Sequence, residues 1–375
     1  MNMKLISNNK RKRLAAIDSF LKSENISLSS LVKIKSDASF RNYFRIKNTK
    51  LILMDADPKT NEKISSFIKI HKILSQMGIR TPRLYKKSIS LGLMIIEDFG
   101  SLNFLDFIEK YESQMDTSLY SEAIETLMEI HRKSLNKPWT IKNIKKYTFN
   151  EQIKETELYF DWYLRKHIKI KVSSNKKVEF YKILKKIYKK LCIKNYSLVL
   201  RDFHVDNIIP FFDKNPPLTE KKTIRQLIQA GELKCTLGII DFQDALIGSP
   251  AYDLCSLVED VRAPMNISDK ESLIEQFIFH TKNFLSEHKN PKHEISPEKI
   301  KIAENTLINF KDQISYFSIQ RNLKILGIFS RLKYRDKKTK YIKYLPAAKR
   351  FVRENLKKPQ FEELKAWFAE NKISV

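Results

Sequence analysis

Apolar residues recur at helical spacing through Arg11–Lys22 (RKRLAAIDSFLK), which predicts an opening helix. The pattern then shortens. SLVKIKSDASFRNYFRIKNTKLILMDADP alternates brief apolar runs with turn residues and predicts three strands, Leu31–Lys35, Tyr43–Ile46 and Leu51–Met54. A second helical pattern, Asn61–Met77, is stopped by Gly78, and Arg83–Tyr85 and Leu93–Glu97 predict two more strands. Strands, helix, strands make a small α+β unit that ends near Asp98. From Leu102 onward the helical period dominates, through Phe104–Tyr111, Tyr120–Ser134, Phe149–Arg165, Val178–Leu191 and a tail from Ile274 to Val375. A short apolar strand, Leu237–Asp241, interrupts it and ends in a carboxylate.

One segment follows neither period. Leu198–Pro210 reads LVLRDFHVDNIIP: apolar at both ends, with an arginine, two aspartates, a histidine and an asparagine between. The apolar ends anchor a loop in the core, and the polar middle is left to do chemistry. Asp202 and Asn207 form D-x-x-x-x-N. Phosphoryl transfer needs a carboxylate to meet the proton of an attacking hydroxyl and hard oxygen ligands for Mg²⁺. That spacing alone is weak. It gains weight from LGIIDFQD (residues 237–244), which offers Asp241 as a second metal ligand, and from GSPAYDL (residues 248–254), a turn opening a helix. Asp253 in that helix is expected to brace the loop through backbone hydrogen bonds.

Composition narrows the field. With 375 residues, 42% of them hydrophobic, the chain is long enough for a sizeable core. The three cysteines form no C-x-x-C pair, so zinc-ribbon and disulfide frameworks lack support. The seven glycines provide no G-x-G-x-x-G, no Walker loop and no G-x-S-x-G, and the seven histidines no H-E-x-x-H. The N-terminus has positive charge without an apolar core of signal-peptide type, and the apolar runs are too short to span a bilayer, so a cytoplasmic protein without membrane insertion is expected. The net charge of +27 is spread over most of the chain. It reads as a lysine-rich solvated surface that attracts anionic substrates such as nucleotides, with little support for a nucleic-acid partner.

The motifs together resemble the aminoglycoside phosphotransferase-like kinases, and most closely the anomeric N-acetylmuramate/N-acetylglucosamine kinases. The likeness is carried by Ser36–Arg41 (SDASFR), Leu53–Ala56 (LMDA), Ile96–Gly100 (IEDFG), LRDFHVDN, IDFQDALIGSPAYDLCSLVEDVR and Gln320–Phe329 (QRNLKILGIF). It implies an α+β, protein-kinase-like, two-lobed fold. Residues 1–98 would form a nucleotide-covering lobe with its hinge at 96–100. Residues 99–375 would form a helical lobe with a catalytic loop at 200–207, a metal-binding segment at 237–244 and an insertion at about 211–236.

The resemblance implies ATP and Mg²⁺ as cofactors and a small-molecule sugar as substrate. Asp202 becomes the catalytic carboxylate. His204 stands two residues later, where protein kinases often have a lysine. Asn207 and Asp241 become metal ligands. Ser39, Arg41, Arg45 and the backbone of Glu97, Asp98 and Phe99 would meet the nucleotide; Asp244, Arg262 and Arg321 are candidates for the acceptor. The chain departs from the kinase pattern in three places, the first being that Leu200-Arg201 precedes Asp202 where the wider family has a histidine. SDASFR has no glycine, and the third strand lacks the usual lysine, leaving Arg41 or Arg45 to neutralise phosphate charge. Rival readings are a same-fold kinase for an aminoglycoside, choline or amino sugar, and a degenerate kinase that only binds. The oligomeric state stays open.

Overall fold

The computed structural model describes residues 3–34, 41–59, 64–111, 118–214, 224–288 and 295–374. The chain divides into two compact units, Met1–Leu102 with Gly238–Asp244, and Asn103–Leu237 with Ala245–Val375.

The first unit opens with α1 (Met3–Lys22), followed by β1 (Leu31–Ile34), β2 (Asn42–Ile46), β3 (Leu51–Asp55), α2 (Ile64–Gln76), β4 (Leu84–Ser88) and β5 (Leu93–Glu97). The strands form one antiparallel sheet in the order β1-β2-β3-β5-β4. Ile17, Phe20 and Leu21 on α1 bury against Ile46, Leu53, Leu93 and Ile95 of the sheet. Arg13 fastens the helix, with Nε donating to Asp55 Oδ1 at 2.9 Å and Nη1 to the Leu91 carbonyl at 2.6 Å. α1 begins at Met3, well before the expected Arg11, because its first turns carry no apolar period to announce them. The tight return into β5 depends on Gly92, at φ +63°; a Cβ there would lie 2.0 Å from the Ala56 carbonyl oxygen.

The second unit is mostly helical: α3 (Phe104–Tyr111), α4 (Ser118–Asn136), α5 (Phe149–Leu158) continuing as π-helix over Tyr159–His167, and α6 (Ser174–Lys190). Then come β6 (Ser197–Val199), β7 (Ile208–Phe212), α7 (Ile224–Gln229), β8 (Cys235–Ile239), β9 (Leu246–Gly248) and α8 (Ala251–Val258). The chain closes with α9 (Ile267–Glu287), α10 (Pro297–Ile308), α11 (Phe310–Tyr334), α12 (Leu345–Asn355) and α13 (Glu362–Glu370). β6 pairs antiparallel with β9, and β7 pairs with β8.

α11 is the spine of this unit and is buried along almost its whole length. Its close approach to α5 is set by Gly327, where a Cβ would sit 2.3 Å from the Leu158 carbonyl carbon and 2.6 Å from Tyr159 N. That contact falls where α-helix gives way to π-helix, so the single helix expected over Phe149–Arg165 is two. Of the insertion at 211–236, residues 215–223 lie outside the described residues. Its base is closed by Asp213 N donating to the Lys234 carbonyl (3.1 Å) and Lys234 N to Asp213 Oδ1 (2.9 Å). The strand expected over Leu237–Asp241 begins at Cys235 and ends at Ile239, two residues before the carboxylate.

Candidate active site

The loop after β6 is held in an unfavourable backbone conformation. Arg201 sits at φ +71°, in the left-handed region that side chains with a Cβ avoid. Two carboxylates hold it there. Asp253, in the first turn of α8, accepts from Leu200 N at 2.6 Å and Arg201 N at 2.9 Å. The Arg201 guanidinium is ion-paired with Glu155 on α5. Asp253 is buried, and burial raises its pKa to about 7 against the opposing pull of the two N–H groups it accepts. The expected bracing of the loop by Asp253 is what its hydrogen bonds do.

Beyond Asp202 the loop is braced again. Val205 N donates to Asp260 Oδ2 at 3.2 Å, and Asp260 Oδ1 accepts from Arg262 N and Nη1, both at 3.0 Å. Arg262 Nε lies 2.5 Å from Asp206 Oδ2. Burial works to protonate Asp260, but Arg262, His204 and Arg321 together outweigh it and its pKa ends below the usual range. A short 3₁₀ turn, Val205–Asn207, then feeds β7. Asn207 Nδ2 donates to the Asp202 carbonyl at 3.0 Å and stands 3.4 Å from His204 Nε2. The second unit therefore brings Asp202, His204 and Asn207 into one turn.

Asp202 is half-buried. Burial alone would raise its pKa; the charge of Lys324, followed by His204, Arg201 and Arg321, brings it below the ordinary value. Lys324 is not among the residues that local spacing singles out. It lies on α11, is 9% exposed, and its Nζ is 3.1 Å from Glu155 Oε1, the oxygen that also receives Arg201. Burial opposes its charge, but Glu155, Tyr252 and Asp202 together outweigh burial, and it stays an ammonium. His204, by contrast, is pushed down to about 3 by burial and by Arg262, so it is neutral at neutral pH. It stands at the lysine position of the loop without supplying a lysine's charge. QRNLKILGIF places two cations three residues apart on one helix, but nothing local marks which carboxylate they would meet.

In the first unit, Asp241 follows β8 at φ +59° and accepts from Gln243 Nε2 at 2.7 Å. Phe242 is buried against Phe67 of α2, ring centroids 4.8 Å apart. Arg41, 6% exposed, approaches Asp241 Oδ1 to 4.0 Å with Nη1. Arg45 is engaged elsewhere: Nε donates to Asp98 Oδ2 at 2.7 Å and Nη2 to the Gly100 carbonyl at 2.6 Å. Of the two arginines, the structure brings only Arg41 to Asp241. Ser39 lies outside the described residues. Asp244 is exposed.

At the expected hinge, Glu97 N donates to the Arg83 carbonyl and Asp98 N to the Lys50 carbonyl, both at 2.9 Å. These two amides are spent inside the protein. The Glu97 side chain is bound to Arg80, Nη1 to Oε2 at 2.7 Å, which together with Arg83 N keeps it below the usual carboxylate range.

Residues 30–218 match the phosphotransferase enzyme family. The chain belongs to this family. It is similar to the N-acetylmuramate/N-acetylglucosamine kinase of Pseudomonas putida, 24% identical over 91% of this chain and 88% of the relative, and to the enzyme of the same name in Neisseria meningitidis, 24% identical over 85% and 83%. Among solved structures it shares its fold with the choline kinase of Streptococcus pneumoniae, TM-score 0.54 at 12% identity, covering 91% of this chain and 98% of that one. The Plasmodium vivax ethanolamine kinase is similar at TM-score 0.53 and 14% identity, covering 89% and 84%. The fold is thus the protein-kinase-like α+β arrangement, and the chain is an ATP-dependent phosphotransferase with an alcohol acceptor. No helix among the described residues is long and apolar enough to cross a membrane.

The residues assigned to Mg²⁺ have suitable chemistry. With Nδ2 donating to the Asp202 carbonyl, Asn207 would have its amide oxygen left for a cation, and Asp241 would offer a carboxylate whose side chain is 49% exposed. Both are hard oxygen donors, as Mg²⁺ requires.

Proposed function

We propose that the protein transfers the γ-phosphate of ATP to the anomeric hydroxyl of an N-acetylated amino sugar, N-acetylmuramate or N-acetylglucosamine. The reaction type is supported most by one relationship: Asn207 tied to the Asp202 carbonyl, in a loop clamped by Asp253 on one side and Asp260 on the other. The acceptor is supported by likeness to the two kinases along most of both chains.

In this reading Asp202 accepts a hydrogen bond from the acceptor hydroxyl and orients it toward the γ-phosphorus. Lys324 and Arg201 keep Asp202 ionised, so it takes up the proton late, as a loose transition state allows. An anomeric hydroxyl is more acidic than an ordinary alcohol, which suits a weak base. Asn207 and Asp241 hold Mg²⁺, which when bound neutralises phosphate charge. Arg41 adds a fixed positive charge on the Asp241 side, in place of the missing strand lysine. Arg45 and Asp98 stiffen the hinge, and Arg262 serves as a strut between Asp206 and Asp260. Positioning and electrostatics supply most of the rate.

The test is ADP release with Mg²⁺-ATP over a panel of sugars, choline, ethanolamine and aminoglycosides, followed by phosphorus NMR of the product. A phosphate on the anomeric oxygen of an N-acetylated amino sugar is expected. Turnover confined to choline, ethanolamine or an aminoglycoside overturns the acceptor.

A further inference from the structure

The buried polar cluster around the catalytic loop holds four cations from the second unit: Arg201, Arg262, Arg321 and Lys324. Three are accounted for. Arg201 and Lys324 share Glu155, and Arg262 bridges Asp206 and Asp260. Arg321 is different. It is only 4% exposed, and its Nη1 is shielded from solvent with no hydrogen-bond partner among the described residues. Asp202, Asp253 and Asp260 feel its charge, but a buried N–H donor left without a hydrogen bond is costly, a cost a protein recovers when a ligand brings an acceptor.

The place fits an acceptor. Arg321 lies three residues before Lys324 on α11, so the two share a face of the helix. Its charge is felt at Asp202, at His204 and at Asp260. At Asp202 its charge acts alongside those of Lys324 and Arg201. An anionic group of the acceptor would find a spare donor in this residue, and the planar fork of an arginine matches a carboxylate.

We infer that Arg321 is a specificity residue of the acceptor site: it binds the carboxylate of an acidic amino sugar and so separates that acceptor from its neutral counterpart. This rests on the acceptor reading proposed above. N-Acetylmuramate carries such a carboxylate; N-acetylglucosamine and the methyl ester of N-acetylmuramate do not.

The test compares kcat/KM and calorimetric Kd for these three compounds in the unaltered protein and in Arg321→Met and Arg321→Lys. A lost charge-assisted hydrogen bond is worth about 10- to 100-fold. The unaltered protein should therefore prefer the acid to its ester by about that factor. In Arg321→Met the preference should vanish, and Arg321→Lys should restore part of it. Equal losses on acid and ester would overturn the inference and assign Arg321 to the phosphoryl group or to the core. If both variants fail to fold, the ester comparison in the unaltered protein decides: no preference for the acid overturns the inference. Tight binding of the acid over the ester without phosphorylation of either would overturn the proposed reaction and keep the arginine site. Binding of none of the three overturns both.

Discussion

Arg201 and Lys324, 123 positions apart in sequence, meet on one carboxylate oxygen, Oε1 of Glu155. Glu155 is itself half-enclosed by Tyr147, whose hydroxyl donates to Oε2 at 2.5 Å, and by Gln320 Nε2 at 3.2 Å. Burial works to raise its pKa, but Lys324 and Arg201 carry it down to about 2.

The sign of the resulting pH dependence follows. Glu155 titrates near 4.5 when unfolded and near 2 when folded, so its contribution is full above pH 4.5 and is lost as pH falls toward 2. The difference corresponds to about 3 kcal/mol. Glu155→Gln is expected to lower stability at pH 7 by roughly that amount and to flatten the acid limb between pH 5 and 2. Urea unfolding across that range checks both; an unchanged acid limb removes Glu155 from this role.

Lys324→Met should leave ATP binding within about 3-fold while reducing kcat by about 100-fold, since the charge it removes acts on Asp202, which meets the acceptor in the proposed reaction. Lys324→Arg should recover part of the rate. A rise in the KM for ATP with kcat intact would place Lys324 on the nucleotide instead.

In the proposed reaction, Asp202→Asn removes the acceptor of the hydroxyl proton without changing shape. Turnover is expected to fall by about 10³-fold or more, within the range general-base groups provide, with ATP affinity little changed by calorimetry. Near-normal turnover would take Asp202 out of the chemistry.

Arg41 and Arg45 should part company. Arg41→Ala is expected to raise the KM for ATP about 10-fold. Arg45→Ala breaks a partly exposed ion pair and should cost at most about 1 kcal/mol of stability, with a smaller kinetic effect. Steady-state kinetics alongside urea unfolding separate the two, and identical kinetic profiles would contradict the assignment.

His131 is buried, both its ring nitrogens have no hydrogen-bond partner among the described residues, and burial pushes its pKa down to about 3. The unfolded chain takes up this proton below about pH 6.5, so the folded state loses stability as pH falls from 6.5 toward 3. His131→Phe, placed beside Tyr196 and Phe277, should be more stable than the parent. The gain should be larger by about 2 kcal/mol at pH 5 than at pH 7, and a pH-independent difference would refute this.

Much of the fold was legible because period and topology coincide. β5 was read residue for residue as Leu93–Glu97, and α3 as Phe104–Tyr111. Boundaries failed where tertiary contacts intervene: α-helix turns to π-helix at Tyr159 beside Gly327, and β8 stops before Asp241 because the chain swings into a left-handed residue there. Asp202 and Asn207 were visible from local spacing. Lys324 was not, because its partner Glu155 lies far away in sequence and only folding joins them. The unspent Nη1 of Arg321 and the spent amides of Glu97 and Asp98 likewise depend on neighbours that no local pattern names.

The bare α-carbon of residue 327 sets how deeply the long C-terminal helix can seat, and both Arg321 and Lys324 ride on that helix. Even a methyl group there would lift them together from the loop they serve. A mutational scan would then score position 327 as severely as Asp202, although it is remote from the chemistry, and a damaging allele at that glycine would be a displacement of machinery rather than a loss of any working part.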